Sequence, residues 1–320
     1  MIDVVLAAHN GERHLEALLQ SIDDQTTPPA KLVVIDDCST DATHEHVLAF
    51  AARVEFDVDI VTTECNIGSA AAFAMGVELA SSAVVAFCDQ DDRWHPHKLT
   101  RIERAWREAP GATMIVSDVS LADEDLRPLG QTFWQAARFE SPNAGASRRD
   151  VFNALVRGGR VPGMAMTVKR DLALMAGPPL HDWHHDGWYS LIAAATGSVR
   201  FLREPLVDYR HHPDQQTAPR SRPSSRIPRD ERARRFAAGA ARFAILSDRL
   251  AELDVEEWAV QSTREKSSFL RARADMARKP ISRPGRILSG VRTGQYARYA
   301  RGAGAVADLF GLSRPRPYVG

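Results

Sequence analysis

Residues 84–94 read Val-Val-Ala-Phe-Cys-Asp-Gln-Asp-Asp-Arg-Trp, an apolar run that ends abruptly in a polar turn. Such a run, closed by a turn, is typical of a buried strand. Asp89, Asp91 and Asp92 place three carboxylates within four residues, and like charges this close repel each other unless a cation lies among them. Hard divalent ions prefer oxygen ligands, and Mg²⁺ commonly combines one or two carboxylates with substrate phosphates. The stretch therefore predicts a metal and nucleotide-diphosphate site at the end of a strand.

This strand is the fourth in a regular alternation of strands and helices. The apolar runs predict strands at 4–8, 32–35 and 57–62, each followed by a segment of helical spacing that ends near 22, 52 and 80. The alternation predicts an α/β fold with a mostly parallel central sheet flanked by helices. Ligands of such sheets bind beyond the carboxyl ends of the strands. Polar residues stand at these ends: Asn10, Asp36, Asp37, Asn66 and the acidic turn.

The pattern becomes less regular after the acidic turn. It predicts a helix from Pro96 to Glu108, then strands at 113–117, 164–168, 199–202 and 205–209, with an apolar helix at 189–195. Residues 118–125 are typical of a hairpin turn, and residues 131–147 are predicted to form a loop over the site.

Length and composition indicate a folded chain with a sizeable core. It has 320 residues, of which 44% are hydrophobic and 26% charged. No run of about 18 apolar residues occurs, and the start at Met1 lacks the basic segment of a signal peptide, so we expect a cytoplasmic protein. Cys38, Cys65 and Cys88 are widely spaced, which favours neither a disulfide framework nor a zinc site.

Charge divides the chain into two parts. Residues 217–320 contain 22 Lys and Arg against 10 Asp and Glu, and the first 216 residues carry the matching acidic excess because the total is balanced at 41 each. We predict a catalytic domain at 1–216, a linker at 217–228 rich in Pro, Arg and Ser, and a basic helical region at 229–320. Three interpretations of the basic region stay open: packing on the catalytic domain, contact with an anionic membrane, and nucleic-acid binding, of which the last is the least favoured.

The order of these motifs resembles that of the family 2 glycosyltransferases with the GT-A fold. The motifs are Val33-Val-Ile-Asp36-Asp37, Asn66-Ile-Gly68, Asp89-Gln-Asp-Asp92-Arg-Trp94, His185-Asp186 and Tyr209-Arg210-His-His212. The resemblance covers roughly residues 2 to 216. It implies inverting transfer of a sugar from a nucleotide-diphosphate donor to an acceptor hydroxyl, with Mg²⁺ or Mn²⁺ as the cofactor.

The resemblance also implies roles for individual residues. It places the nucleotide against Ala8, Asn10, Asp36, Asp37, Asn66, Gly68, Asp89 and Gln90, with either Asp36 or Asp37 accepting a hydrogen bond from the base. It gives the metal to Asp91 and His212. It assigns the acceptor side, or the support of the site, to Asp92, Trp94, Asp182, Trp188 and Arg210.

An inverting displacement needs a base that takes the proton of the acceptor hydroxyl. Asp182 and Asp186 are the candidates, since each follows a histidine, and Asp186 is favoured because the helix after it runs to Gly197 as in the family. Gly187 departs from the family pattern, which usually has an aromatic residue directly after the aspartate.

The resemblance extends to bacterial enzymes that build surface polysaccharide, including rhamnosyltransferases, with dTDP-rhamnose or a UDP-sugar as donor and a glycan or lipid-linked acceptor. Two other interpretations compete with it. A phosphate-handling metal enzyme would place its aspartates after the first strand rather than the fourth. A non-catalytic nucleotide- or glycan-binding protein with a basic membrane- or nucleic-acid-binding tail would not need the candidate base.

Overall fold

A computed structural model describes residues 1–159, 161–180, 182–213, 215, 228–278, 283–300 and 304–310. The predicted linker 217–228, except Pro228, lies outside the described residues. By their contacts, the residues form two compact units, 1–145 with 161–216 and 146–160 with 217–320. Segment 146–160 thus belongs with the C-terminal helices, although its sequence position is inside the predicted catalytic domain.

The first unit begins with four strands joined by three helices. The strands are β1 (Asp3–Ala8), β2 (Lys31–Asp36), β3 (Asp57–Thr62) and β4 (Val84–Asp89), and the helices are α1 (Glu12–Asp23), α2 (Thr43–Ala51) and α3 (Ser69–Leu79). Strands β1, β2 and β4 are apolar and mostly buried between their end residues, as expected for strands covered on both faces. This half of the unit matches the sequence prediction closely.

The second half of this unit adds shorter and more varied elements. They begin with β5 (Arg93–Trp94), α4 (Lys98–Glu108), β6 (Ala112–Ala122), β7 (Pro128–Thr132) and α5 (Phe133–Ala137). Helix α6 (Arg148–Gly158), which belongs to the other unit, comes next in the chain. The first unit then continues with a 3-10 turn (Gly163–Ala165), β8 (Met166–Lys169), α7 (Arg170–Ala176), α8 (His185–Thr196) and β9 (Ser198–Arg210). The two short strands predicted at 199–202 and 205–209 are one strand, β9, which pairs with β6 through register shifts at Ser117/Asp118. The predicted loop 131–147 contains helix α5.

Within the described residues the strands form one nine-stranded sheet in the order β3-β2-β1-β4-β8-β6-β9-β5, with β7 paired to β6. The first four strands in this order are parallel, and β8 joins β4 in the antiparallel sense. The register aligns Ala8 with Asp36 and Ala7 with Asp89, so β1, β2 and β4 end at the same edge. The predicted site residues of these strands therefore meet there.

The second unit is helical in its described part. It contains α6, α9 (Arg229–Glu252), α10 (Glu257–Arg278), α11 (Arg283–Arg292), α12 (Gln295–Tyr299) and α13 (Gly304–Phe310). Helices α9 and α10 pack along each other, and Phe152 of α6 meets Trp258 of α10 edge to face at 5.3 Å. No helix in the described segments is long and apolar enough to cross a membrane.

Candidate active site

The acidic turn after β4 is held by the end of β9. Asp92 is fully buried, and its Oδ1 accepts a hydrogen bond from the backbone N–H of Arg210 at 3.1 Å. The Arg210 guanidinium donates to the carbonyl oxygens of Asp91 and Glu124, at 2.6 Å each. Arg210 therefore links the backbone of Asp91 to that of Glu124, which is a supporting role for the acidic turn.

Asp91 and His212 converge on one point at the edge of the sheet. His212 Nε2 lies 2.8 Å from Asp91 Oδ2, although 121 residues separate the two in sequence. The Nδ1 atom of His212 is buried without a hydrogen-bond partner among the described residues, and its ring packs against that of His14 at 4.7 Å. Gln215 Nε2 also approaches Asp91 Oδ2, at 3.5 Å. The predicted metal pair is thus assembled by the fold.

The side chains at this point suit a hard divalent ion whose other ligands come from a substrate. No group of three or more His, Cys, Asp or Glu side chains in the described part of the chain is arranged to hold a metal. Asp91 and His212 supply one carboxylate and one imidazole, and Mg²⁺ commonly uses few protein ligands together with phosphate oxygens and waters. The residues present therefore fit an ion that is completed by a diphosphate.

Carboxylates crowd the floor of the site. Burial raises the pKa of Asp89 to about 7, and the charges of Asp91 and Asp186 act in the same direction. Burial also raises the pKa of Asp92 well above its usual range, again with Asp91 and Asp89 contributing. The charge of Asp186 acts on Asp89, so the candidate base lies within electrostatic range of the acidic turn.

Lys98 supplies a buried positive charge beneath this turn, and sequence reasoning missed it. Its side chain is fully buried, its Nζ donates to the carbonyl of Met164 at 2.8 Å, and it lies 3.9 Å from the centre of the Trp94 ring. Burial lowers the pKa of Lys98 to about 7, against the opposing effect of Cys88, Asp92 and Asp89. The signal was a lysine beside Leu99, on the apolar face of the predicted helix.

Trp94 is buried rather than exposed to an acceptor. It is 2% exposed, and its backbone N–H donates to Ser21 Oγ at 3.0 Å. Because the Nζ of Lys98 lies over its ring, Trp94 contacts the side chain beneath the acidic turn. Of the two roles predicted for Trp94, this position favours support of the site over contact with the acceptor.

Asp36 and Asp37 end β2 with both carboxylates buried and already hydrogen-bonded. Asp37 accepts from Thr63 Oγ1 at 3.0 Å and from the backbone N–H groups of Ile67 and Gly68 at 2.7 and 2.8 Å. Asp37 therefore fixes the Asn66 turn, in which Gly68 has a positive φ of 83° and Asn66 is exposed.

Asp36 has a different set of partners. It accepts from the Ser39 N–H at 3.1 Å, and its Oδ2 lies 3.4 Å from His44 Nδ1. Of the two carboxylates, Asp36 makes fewer hydrogen bonds, which leaves it more capacity to accept one from a base.

The turn after β1 is tied to both neighbouring strands. Ala8 is buried, and Asn10 has a left-handed φ of 49°, with its Oδ1 accepting from the Thr40 N–H at 2.8 Å. Gln90 forms a pair of hydrogen bonds with the backbone of His9, at 2.8 and 3.0 Å. Gln90 is therefore a brace between β1 and β4, because its amide oxygen and its amide nitrogen both hydrogen-bond to the His9 backbone.

Gly11 is required beside this brace. A Cβ on Gly11 would lie 2.5 Å from Gln90 Oε1, and its N–H donates to Thr43 Oγ1 at 2.7 Å. The close approach of β1 and β4 at this edge thus depends on a residue without a side chain.

The candidate base lies in the first turn of α8. Asp186 Oδ1 accepts a hydrogen bond from the N–H of Gly187 at 2.5 Å. Asp182, the alternative, is exposed in the preceding turn. His185 is 7% exposed between Phe73 and Phe87, and burial lowers its pKa to about 4, so it is a neutral core residue.

Of the two roles predicted for Trp188, burial leaves support of the site rather than contact with an acceptor. Trp188 has no exposed surface, and its indole N–H donates to the carbonyl of Gly177 at 3.1 Å. Its neighbour Trp183 is partly exposed instead, and a Cβ on Gly187 would lie 2.8 Å from the Trp183 ring. Trp183 thus occupies the space that a side chain at position 187 would fill, which accounts for glycine after Asp186.

Comparison with known proteins agrees with this geometry. Residues 3–172 match the family model described as glycosyl transferase family 2, which is more than half of the chain. The chain belongs to glycosyltransferase family 2.

This glycosyltransferase is similar to several bacterial relatives. It is 25% identical over 219 residues to an uncharacterized glycosyltransferase of Nostoc, covering 66% of this chain and 65% of the relative. It is 32% identical over 101 residues to the putative teichuronic acid biosynthesis glycosyltransferase TuaG of Bacillus subtilis, covering 32% of this chain and 40% of TuaG. The matches therefore span less than two thirds of the relatives' own length.

Solved structures confirm the GT-A fold of this glycosyltransferase. TarS residues 1–349 of S. aureus, solved in complex with UDP-GlcNAc, superpose with a TM-score of 0.59 at 17% identity, covering 93% of each chain. The mannosyltransferase PcManGT of Pyrobaculum calidifontis, solved with GDP-Man and Mn²⁺, gives a TM-score of 0.54 at 17% identity, covering 97% of this chain and 85% of that one. At this identity the likeness establishes the fold.

Proposed function

We propose that this glycosyltransferase is a metal-dependent, inverting hexosyltransferase that moves a sugar from a nucleotide-diphosphate donor to a hydroxyl group. The observation that carries the proposal is the convergence of Asp91 and His212, 2.8 Å apart, at the sheet edge where Asp36 and Asp89 end their strands. A bound Mg²⁺ or Mn²⁺ would neutralise the charge that accumulates on the leaving diphosphate. Asp91 and His212 would hold it.

Asp36 and the Asn66–Gly68 turn would hold the nucleoside. Asp36 is the last residue of β2 and has acceptor capacity for a pyrimidine N–H, while Asp37 keeps the turn in place through its bonds to Ile67 and Gly68. Asn10 and Ala8 would line the same pocket, and Asp89 would face the ribose. Gln90 would act through the position of the β1 turn rather than by contact.

Asp186 would take the proton from the acceptor hydroxyl. As the acceptor oxygen forms its bond to the anomeric carbon, the bond to the nucleotide diphosphate breaks on the opposite face, so the configuration inverts and the proton moves to the Asp186 carboxylate. Trp183, partly exposed beside Asp186, would offer its ring to the acceptor sugar.

The acceptor is proposed to be a glycan or a lipid-linked glycan of bacterial surface polysaccharide or cell wall. The names of the relatives support this class: TuaG is assigned to teichuronic acid, ExoO of Rhizobium meliloti to succinoglycan, and WfgD of Escherichia coli to glucosyl transfer onto a diphosphoundecaprenol-linked GlcNAc. We further propose a cytoplasmic location, with peripheral contact between the basic C-terminal region and the inner face of the membrane.

The direct test is a donor screen. Purified protein with Mn²⁺ would be incubated with UDP-sugars, dTDP-rhamnose and GDP-mannose, and released nucleotide diphosphate measured with and without glycan acceptors. We expect turnover with a UDP-sugar or dTDP-rhamnose, and NMR of the product should show the inverted anomer. Retention of configuration, or no turnover with any donor across the panel, would contradict the proposal.

A further inference from the structure

Lys98 is a fully buried lysine that contacts two different parts of the first unit. It is the first residue of α4, its Nζ donates to the carbonyl of Met164 at 2.8 Å, and the same atom lies 3.9 Å from the centre of the Trp94 ring. Lysine is rarely buried completely, because taking its amine out of water costs free energy that an apolar side chain does not lose. Packing of the core alone therefore does not account for a lysine at this position.

The contact with Trp94 joins Lys98 to the acidic turn. Trp94 follows that turn in the short strand β5, which pairs with β9. The turn itself is held by the hydrogen bond from the Arg210 N–H to Asp92 Oδ1 at 3.1 Å. The backbone that carries Asp91 thus leads directly to the ring over which the Lys98 amine lies.

The contact with Met164 joins Lys98 to the backbone that lies against the candidate base. Met164 is the middle residue of the 3-10 turn, all three residues of which are buried. A Cβ on Gly163, the first residue of this turn, would lie 2.5 Å from His185 Nε2 and 3.6 Å from the Cβ of Asp186. The 3-10 turn therefore packs directly on the start of α8, and a shift of the turn would displace Asp186.

The ring of His185 also packs against two aromatic side chains. The ring centres of Phe73 on α3 and Phe87 on β4 lie 4.1 and 5.3 Å from that of His185, and both phenylalanines are buried. Protein interiors are close-packed, so a side chain held in this way moves only when its neighbours move. Because Asp186 follows His185 directly in the chain, its position depends on these rings and on the 3-10 turn.

We propose that Lys98 is a positioning residue for the candidate base. By holding the Met164 carbonyl, Lys98 keeps the 3-10 turn against the start of α8 and thereby sets the place of Asp186 relative to the acidic turn. The inference rests on the proposed function, in which Asp186 takes the proton of the acceptor hydroxyl. Lys98 then acts on the transfer step rather than on nucleotide binding, and a misplacement of about 1 Å can lower a rate by about 10²-fold.

The test is a double-mutant cycle on the full chain with Lys98→Met, Asp186→Asn and the double variant. Methionine keeps much of the aliphatic volume of lysine and removes the donor to the Met164 carbonyl. We expect Lys98→Met to lower kcat by on the order of 10- to 100-fold, while the calorimetric affinity for UDP in Mn²⁺ stays unchanged. In the Asp186→Asn background the same change should lower kcat much less, because the base that Lys98 positions is already absent.

Lys169→Met is the matched control. The Nζ of Lys169 also donates to a backbone carbonyl, that of Pro110, at 3.3 Å, but Lys169 pairs with Val84 at the end of β4 away from the acidic turn. Its kcat and its affinity for UDP should both stay close to those of the wild type.

Three results would overturn the proposal: full kcat in Lys98→Met, a loss of UDP affinity that accounts for the lower rate, or an equal fold-loss of kcat with and without Asp186. The last two are the results of a merely structural role. A wild type that transfers no sugar overturns the proposed function and this inference with it, whereas an active wild type beside a fully active Lys98→Met overturns this inference alone.

Gly163→Ala is the second variant, should Lys98→Met not fold. Its Cβ would press on His185 Nε2, so kcat should fall while UDP affinity is kept, and the loss should again shrink in the Asp186→Asn background. Full kcat in Gly163→Ala would mean that the 3-10 turn does not set the place of Asp186, and would overturn the proposal.

Discussion

At the scale of single residues, the acidic turn lies beside two basic side chains, and burial raises the pKa of Asp89 to about 7 and that of Asp92 well above its usual range. Asp92 is fully buried, and its Oδ2 lacks a hydrogen-bond partner in the described part of the chain. Lys98 lies below the turn, and Arg210 holds the Asp91 carbonyl beside it. A buried carboxylate without such neighbours would be strongly destabilising. The basic side chains of Lys98 and Arg210 and the raised pKa values of Asp89 and Asp92 both reduce the repulsion between the three aspartates.

The base assignment gives the first prediction. Asp186→Asn should reduce the rate of sugar transfer by on the order of 10²- to 10⁴-fold, because the amide cannot take the acceptor proton, while UDP affinity stays unchanged. Asp182→Asn is the matched control and should keep nearly full activity, since Asp182 lies exposed in the preceding turn. Initial rates and calorimetric affinities measure the two effects separately. An inactive Asp182→Asn beside an active Asp186→Asn would exchange the roles.

At the scale of elements, helix α3 packs on the sheet through a glycine. A Cβ on Gly76 would lie 2.2 Å from Val5 Cγ1 of β1, far inside van der Waals contact. Glycine within a helix normally destabilises it by about 0.5–1 kcal/mol relative to alanine, so its presence here indicates that close packing outweighs helix propensity. The distance between α3 and β1 also sets where the Asn66 turn meets β2.

Gly76→Ala should therefore lower the free energy of unfolding by roughly 1–3 kcal/mol, measured by denaturant titration. Val5→Ala removes the clashing methyl group, so the double variant should lose less than the sum of the two single losses. Gly111→Ala is the control, because a Cβ there has no neighbour within 4 Å among the described atoms, and it should change little. Strictly additive losses, or a more stable Gly76→Ala, would contradict the packing account.

A second element-scale contact ties β1 to the loop between α3 and β4. Asp3 is fully buried and accepts hydrogen bonds from the N–H groups of Ser81 and Ser82 at 2.6 and 2.8 Å, and from Ser82 Oγ at 2.7 Å. Burial alone raises the pKa of Asp3, but the bonds from Ser82 and Ser81 outweigh it, and the net pKa is lowered. Its stabilising effect is thus fully present above the unfolded pKa, about 3.9, and is lost as pH falls through the lower folded pKa.

Asp3→Asn should reduce the free energy of unfolding at pH 7 by roughly 1–3 kcal/mol, since the amide loses an acceptor and adds a donor to the buried loop. The difference from wild type should shrink as pH falls below about 4, because the unfolded chain then binds a proton at Asp3 while the folded protein, with its lowered pKa, still resists protonation. Urea titrations at several pH values measure this, with exposed Asp57→Asn as the control. A loss that does not change between pH 7 and pH 3 would contradict the role of the charged form.

At the scale of the whole molecule, the sequence predicted those features that local pattern encodes. The strand–helix alternation and the polar strand ends are local, and the parallel register of β1, β2 and β4 brings those ends together as expected. The hydrogen bonds of Arg210 could not be predicted in this way, because its partners Asp91 and Glu124 are distant in sequence and the residues around Arg210 do not indicate them.

Contacts between residues distant in sequence also explain the other differences between the predicted and the observed structure. Trp188 looked like a candidate for sugar stacking, but helix α8 is buried on most of its surface, which depends on elements far from it in sequence. Segment 146–160 lies with the C-terminal helices because Phe152 packs against Trp258, a contact that no local pattern encodes. Lys98 was overlooked because a lysine on a helix is usually exposed, and its burial follows from the Trp94 ring and the Met164 carbonyl.

The central claim is that Asp91 holds a divalent ion which binds the donor diphosphate. The most direct measurement is calorimetric titration of the full chain with UDP and with dTDP, in Mn²⁺, in Mg²⁺ and in EDTA, for the wild type, Asp91→Ala and the exposed-site control Asp171→Ala. The account predicts metal-dependent binding by the wild type and the control, and its loss in Asp91→Ala. Equally strong binding in EDTA, or undiminished metal-dependent binding by Asp91→Ala, would contradict it.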